Sequence, residues 1–211
     1  MPGFETIDKQ ELKHLKKIFQ NGGGVLFRHG FEKIRRKSFQ VEEFEKKFAK
    51  KFNSKYALAV SSGTAALRVA LASLGIGKND EVITQSFTFV ATVEAIVESG
   101  AKPVCTEIDN TLNMCPDDLL KKISKKTKAI ILVHMLGSPG NISEIKKICK
   151  RKNIYLIEDT AWGIGGMYKK KFLGTMGDIG TFSFDFAKTI TTGEGGMLLF
   201  KKKKHFLKAK A

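Results

Sequence analysis

The chain has 211 residues, 42% hydrophobic and 27% charged, with only 4 Pro; this is the composition of a globular domain and excludes a disordered tail, a linker or a collagen. No apolar run approaches the roughly 20 residues that cross a bilayer, and the opening MPGFETIDKQELKHLKK has no apolar signal core. The formal charge of +16 invites a nucleic-acid reading, yet only Arg28, Arg35, Arg36, Arg68 and Arg151 are arginine, the residue that base readout and phosphate clamps favour, so a solvated lysine-rich surface is expected, with no nucleic acid and no membrane insertion.

In chain order, Leu12, Leu15, Ile18 and Phe19 share one face of a predicted helix, and Phe44, Phe48 and Phe52 share another. Gly22–Gly24 breaks the chain between them. From Tyr56 onward, short apolar runs alternate with amphipathic stretches. Strands are predicted at Tyr56–Val60, Glu81–Thr84, Pro103–Thr106, Ala129–His134, Ile154–Ile157, Gly180–Phe184 and Gly196–Phe200. Helices are predicted at Ala65–Leu74, Ala91–Glu98, Pro116–Ile123 and Ile142–Arg151. This alternation predicts an α/β domain with a mainly parallel central sheet flanked by helices and a ligand site at the C-terminal strand ends. Residues 1–54 are read as an N-terminal helical segment and 55–211 as the α/β domain. Cys105, Cys115 and Cys149 are odd in number and show neither a CxxC nor a Cys/His cluster. They give no disulfide framework or metal site, and fit a reduced, cytoplasmic compartment.

Walker A and GxGxxG sequences are absent. A different phosphate site is available where the strand Tyr56–Val60 runs through Ser61-Ser62-Gly63-Thr64 into a helix. Open N–H groups and the positive dipole end would hold a phosphate there, with Gly63 permitting close approach and the Thr64 hydroxyl donating; the plainer reading is a helix cap at Ser62 or Thr64. Glu158-Asp159 ends the apolar strand Ile154–Ile157, and a carboxylate at that end points to the ligand crevice. Lys188 follows in FSFDFAK, ahead of the glycine-rich TTGEGG turn. Shelter from water lowers an amine's pKa and favours imine chemistry. A phosphate cup, an Asp at a strand end and a sheltered Lys are the parts of a pyridoxal phosphate site.

The segments EDTAWGIGG, LGTMGDIGTFSFDFAKTITTGEGGM, VSSGTAALRVAL and QSFTFVAT closely resemble the DegT/DnrJ/EryC1/StrS family of sugar aminotransferases, fold-type I pyridoxal phosphate enzymes. The resemblance implies the large domain of that fold. It also implies that Lys188 binds the cofactor covalently, that Asp159 pairs with the pyridine nitrogen, that Thr64 and Ser183 contact the phosphate, and that Phe89 stacks on the ring. Three residues after the Asp the family usually has Gln or His, where this chain has Trp162, whose indole donates a hydrogen bond but cannot accept one. Family dehydratases have His in place of the lysine, so Lys188 favours amino transfer.

The implied reaction moves an amino group from L-glutamate to a keto or aldehyde sugar in a homodimer. The start MPGFE, with QSFTFVATVEAI, EIDNTLNM and VHMLGS, looks most like the subgroup making 8-amino-3,8-dideoxy-manno-octulosonate for lipopolysaccharide. His134 is expected to be structural, His29 is ambiguous, and Glu194 is read as a turn-stabilising carboxylate; none joins the catalytic pair Lys188 and Asp159. Family members continue for almost as much chain again after GEGGM and its strand, whereas here KKKKHFLKAKA follows. A truncated chain is therefore expected, lacking a C-terminal small domain, with Phe206 and Leu207 left without later elements to pack against. A catalytically impaired fragment that binds the cofactor or a partner chain is the alternative.

Overall fold

The computed structural model describes residues 2–26, 30–35 and 39–211. In chain order these form α1 (Lys9–Gly22), α2 (Glu32–Arg35), α3 (Gln40–Lys51), β1 (Tyr56–Val60), α4 (Gly63–Leu74), β2 (Glu81–Gln85), α5 (Val90–Glu98), β3 (Lys102–Thr106), α6 (Pro116–Lys122), β4 (Thr127–Val133), α7 (Ile142–Lys152), β5 (Tyr155–Asp159), β6 (Met167–Tyr168), β7 (Lys171–Phe172), β8 (Ile179–Ser183), β9 (Gly196–Phe200) and α8 (Lys203–Lys210). All seven predicted strands join one sheet in the order β1-β9-β8-β5-β4-β2-β3. Pairing is parallel from β8 through β5, β4 and β2 to β3, while β9 runs antiparallel to both its neighbours, β8 and β1. The sheet is thus mainly parallel, as expected for an α/β domain flanked by helices.

Strand pleating divides the core between two layers. From β4, Ala129, Ile131 and Val133 join Leu67, Leu71, Ala95 and Ile96 of α4 and α5 on one face. Ile130 and Leu132 join Leu119 of α6 and Ile145 and Ile148 of α7 on the other. On that second face α3 covers the opposite end of the sheet: Phe48 meets the rings of Phe52, Phe182 and Phe184 at 4.4, 5.1 and 5.6 Å between centroids. Because Phe182 and Phe184 flank Ser183, this aromatic cluster also fixes the end of β8.

Local chemistry sets the helix ends. Asp8 and Glu11 form a reciprocal capping box at the start of α1. That helix stops where Gly23 turns left-handed at φ +64°, the break expected at Gly22–Gly24. Its apolar face stays exposed at Leu12, Leu15 and Phe19. Phe206 departs from the sequence expectation. In α8 it stacks on Tyr56 and meets Phe200 edge-on, at 5.3 and 5.9 Å, so earlier strands supply its packing; only Leu207 remains exposed. His29 lies outside the described residues.

Candidate active site

Six of the seven strands, all but β9, run in one direction and end on the same side of the sheet, and residues at the ends of five of them wall an open cleft of about 350 Å³. β1 leads into Ser62, Gly63 and Thr64; β4 ends at Val133, next to Met135; β5 leads through Asp159 to Trp162; and β8 leads through Ser183 to Lys188. Thr88 and Phe89, between β2 and α5, close a further side. All seven residues predicted for the site, Gly63, Thr64, Phe89, Asp159, Trp162, Ser183 and Lys188, therefore line one cavity.

The first turn of α4 forms one end. Ser62 is the cap, its Oγ accepting from the Ala65 N–H at 3.0 Å, which leaves Thr64 inside the helix and facing the cleft. A Cβ on Gly63 would stand 2.8 Å from the Cβ of Ser183. Glycine at 63 is therefore what lets the helix start approach β8, bringing the Ser183 hydroxyl beside the open N–H groups of the turn.

Asp159 forms the floor. It is 5% exposed; Oδ1 accepts from the Ala161 N–H at 3.1 Å and Oδ2 from the Thr92 hydroxyl at 3.0 Å. Burial pushes its pKa up, against the pull of these two donors and of His134 and Lys188. A buried carboxylate with its charge only partly compensated is a receptor for a cation. Thr92 escaped the sequence reading, since a Thr in the apolar run VATVEAIV carries no local signal.

Glu158, one residue earlier, points to the other face and serves the scaffold. Its carboxylate accepts from the N–H groups of Gly174, Met176 and Gly177 at 2.9, 2.6 and 2.5 Å. His134 Nδ1 accepts from the Gly140 N–H at 3.3 Å, so its Nε2 carries the proton directed at Glu158, 3.1 Å away. His134 is buried and structural, as expected.

Lys188 sits on the loop joining antiparallel strands β8 and β9, so both ends of that loop are anchored at the cleft. Inside it, the Asp185 N–H donates to Ser183 Oγ at 3.3 Å and the Lys188 N–H to the Asp185 carbonyl at 3.0 Å. Outside it, the Gly3 N–H donates to the Lys188 carbonyl at 2.6 Å, and Phe4 stacks on Phe186 at 4.5 Å. The amine is half-buried; loss of water lowers its pKa, partly offset by Asp185 and Asp159. Glu194 lines the cleft mouth, and it is its carbonyl, not its carboxylate, that stabilises the turn by accepting from Thr192 Oγ1 at 2.8 Å. Phe89 is 68% exposed at the lip, a position no core phenylalanine would hold.

A buried carboxylate, a helix N-terminus beside a serine, an amine and an open aromatic face, arranged around one cleft on an α/β scaffold, have the chemistry that would fit a pyridoxal phosphate group. The chain matches the DegT/DnrJ/EryC1/StrS aminotransferase family over residues 31–211 and belongs to it. It is 47% identical over 167 residues to GDP-perosamine synthase of Escherichia coli O157:H7, an alignment covering 79% of this chain and 46% of that protein. The aminotransferase from Psychrobacter cryohalolentis superposes with a TM-score of 0.88 at 35% identity, covering 97% of this chain and 50% of the other. NtdA from Bacillus subtilis with bound cofactor PMP superposes with a TM-score of 0.83 at 29% identity, covering 96% and 45%. The chain spans about half the length of the curated relatives it matches.

Proposed function

We propose that this chain carries the cofactor site of a pyridoxal phosphate-dependent aminotransferase that moves an amino group from L-glutamate to a keto or aldehyde sugar. The observation that carries the reading is the meeting of Lys188, Asp159 and the α4 N-terminus in one cleft. The first-turn N–H groups of α4, with Thr64 and Ser183, hold the phosphate. Asp159 would take the ring nitrogen and favour its protonated form, since a cation there relieves the buried carboxylate. Phe89 covers one side of the ring and excludes water. When bound, the cofactor supplies an electron sink for the carbon that bears the transferred nitrogen. Lys188 would tether the group through Nζ and, as a free amine, would take the proton from the substrate carbon that bears the nitrogen; its lowered pKa suits both tasks.

The acceptor is proposed to be a nucleotide-linked keto sugar for a cell-surface polysaccharide, a reading supported by the name GDP-perosamine synthase borne by three relatives. The eight-carbon sugar aldehyde rests on QSFTFVATVEAI, EIDNTLNM and VHMLGS, of which Thr88, Phe89, Ala91, Thr92, Val133 and Met135 line the cleft and no residue of EIDNTLNM does. A second copy of the chain is the proposed partner, and the cytoplasm the proposed site of action.

Borohydride should fix pyridoxal phosphate onto the peptide containing Lys188, and Lys188→Ala should abolish that adduct. An adduct retained by the Ala variant would falsify the assignment. With glutamate as donor, GDP-linked 4-keto sugar and the eight-carbon aldehyde are then compared as acceptors; turnover of the aldehyde alone would reverse the choice between them.

A further inference from the structure

Lys188 Nζ stands 3.6 Å from the centroid of the Trp162 ring, well within the roughly 6 Å at which an aromatic face attracts a cation. Other titratable groups surround this amine. Asp159 reaches it from β5 and Asp185 from its own loop, Glu194 lines the same cleft ahead of β9, and His134 acts on Asp159 from the end of β4. Among the described residues no ion pair joins Lys188 to any of these carboxylates. The ring is the nearest recorded partner of the side-chain nitrogen.

The ring is also held in place. The Gly163 N–H donates to the Thr160 carbonyl at 3.0 Å, closing the turn that carries Trp162. Gly137, left-handed at φ +83°, packs so closely that an added Cβ would stand 3.0 Å from the Trp162 carbonyl. With the backbone fixed from two sides, the indole lies at the cleft wall, 41% exposed, with one face toward the lysine.

We propose that Trp162 is a positioning residue whose indole face seats the Lys188 ammonium in the cofactor-free chain, keeping it charged and apart from Asp159. The proposal rests on the reading of Lys188 as the cofactor-binding lysine. A direct Lys188–Asp159 ion pair would satisfy the carboxylate reserved for the ring nitrogen and would have to break before the cofactor could enter. A seat on the indole costs no carboxylate. Because the ring attracts only the charged form, it also opposes the loss of charge that burial promotes.

Trp162 is the single tryptophan of the chain, so its emission reports on this contact without a probe. The test uses the 211-residue chain stripped of cofactor with hydroxylamine and titrated from about pH 7 to about pH 11. Wild type should show a step in tryptophan emission that Lys188→Gln lacks, while Lys188→Arg should keep the low-pH signal throughout. The charge of the amine is read separately, from acetylation of the Lys188 peptide by limiting acetic anhydride as a function of pH. Trp162→Leu should move that midpoint down by about half a unit to one unit, and Trp162→Phe should restore most of it. An emission step that persists in Lys188→Gln, or a midpoint unmoved in Trp162→Leu, overturns the proposal. Failure of borohydride trapping in wild type would instead overturn the cofactor reading, and the emission and acetylation profiles would still decide the seat.

Discussion

Thr92 of α5 donates its hydroxyl hydrogen to Oδ2 of Asp159 at 3.0 Å, across 67 positions of sequence. Thr88 donates in turn to Thr92 Oγ1 at 3.0 Å, so a two-hydroxyl chain runs from the cleft wall to the carboxylate on its floor. The arrangement fixes one Asp159 oxygen by a side chain and the other by the backbone of Ala161.

Removing the hydroxyl should make the carboxylate harder to ionise. A hydrogen bond to a charged group contributes about 1.5–3 kcal/mol, and one pKa unit corresponds to about 1.4 kcal/mol. For Thr92→Val the acid limb of pyridoxal phosphate binding is therefore expected to move up by about one unit or more, with Thr92→Ser close to wild type. Absorbance titrations of the three proteins with the cofactor at stepped pH check this.

Asp159 should also weaken the fold it sits in. Burial raises its pKa above the unfolded value, so between the two values the folded chain binds more protons than the unfolded one, and stability falls as pH rises through that window. Asp159→Asn removes the buried charge; its Oδ1 still accepts from the Ala161 N–H, and its amide NH2 meets the Thr92 hydroxyl as a donor, a reversal the hydroxyl oxygen can accept. Its melting temperature at pH 7 should exceed that of wild type by a few degrees, given about 2–4 °C per kcal/mol at this chain length. The difference should vanish below the ordinary carboxylate range, where Asp159 is neutral in both states. The same variant should bind the cofactor and transaminate far more slowly.

Glu158 holds a loop with both oxygens. Glu158→Gln turns one acceptor into a donor that faces either the Gly174 N–H together with His134 Nε2–H or the N–H groups of Met176 and Gly177. A loss of about 3 kcal/mol is expected, read as a lower urea midpoint with an unchanged slope.

Two glycines downstream of Lys188, Gly193 in its loop and Gly196 at the start of β9, should respond differently to alanine. Gly193, at φ +82°, has open space around it, so only backbone strain of about 1–2 kcal/mol is at stake. Gly196 packs against the Ser62 backbone, which an added Cβ would strike. Gly196→Ala should cost about 3 kcal/mol and displace the first turn of α4, weakening cofactor affinity, whereas Gly193→Ala should leave affinity nearly unchanged. Equilibrium dialysis against pyridoxal phosphate separates the two.

The strand positions were legible because strands buried on both faces read as continuous apolar runs, such as AIILV before His134. Direction was not: GMLLF of β9 looks like any other buried strand, and nothing local marks it as antiparallel. The hairpin β6–β7 escaped because its turn places Lys169 and Lys170 at φ +47° and +64°, positions where Asn or Gly is the usual signal. Lys188, Asp159 and the Gly63-Thr64 turn were legible from motif and strand end together. Their supports were not, because Thr92 reaches Asp159 only through the packing of α5 on the sheet, and Phe206 finds Tyr56 and Phe200 only once α8 folds back.

The hydrogen bond from Gly3 to the Lys188 carbonyl has a practical reach. The first few residues, which touch neither the floor nor the phosphate end of the cleft, clasp the loop carrying its reactive amine. Trimming residues 2–6 would leave every cleft side chain in the chain and still loosen the lysine from behind. An expression tag fused just ahead of Pro2 would likewise emerge beside the chemistry rather than far from it. For this protein, the stretch around residues 2–6 is therefore a poor place for an affinity handle.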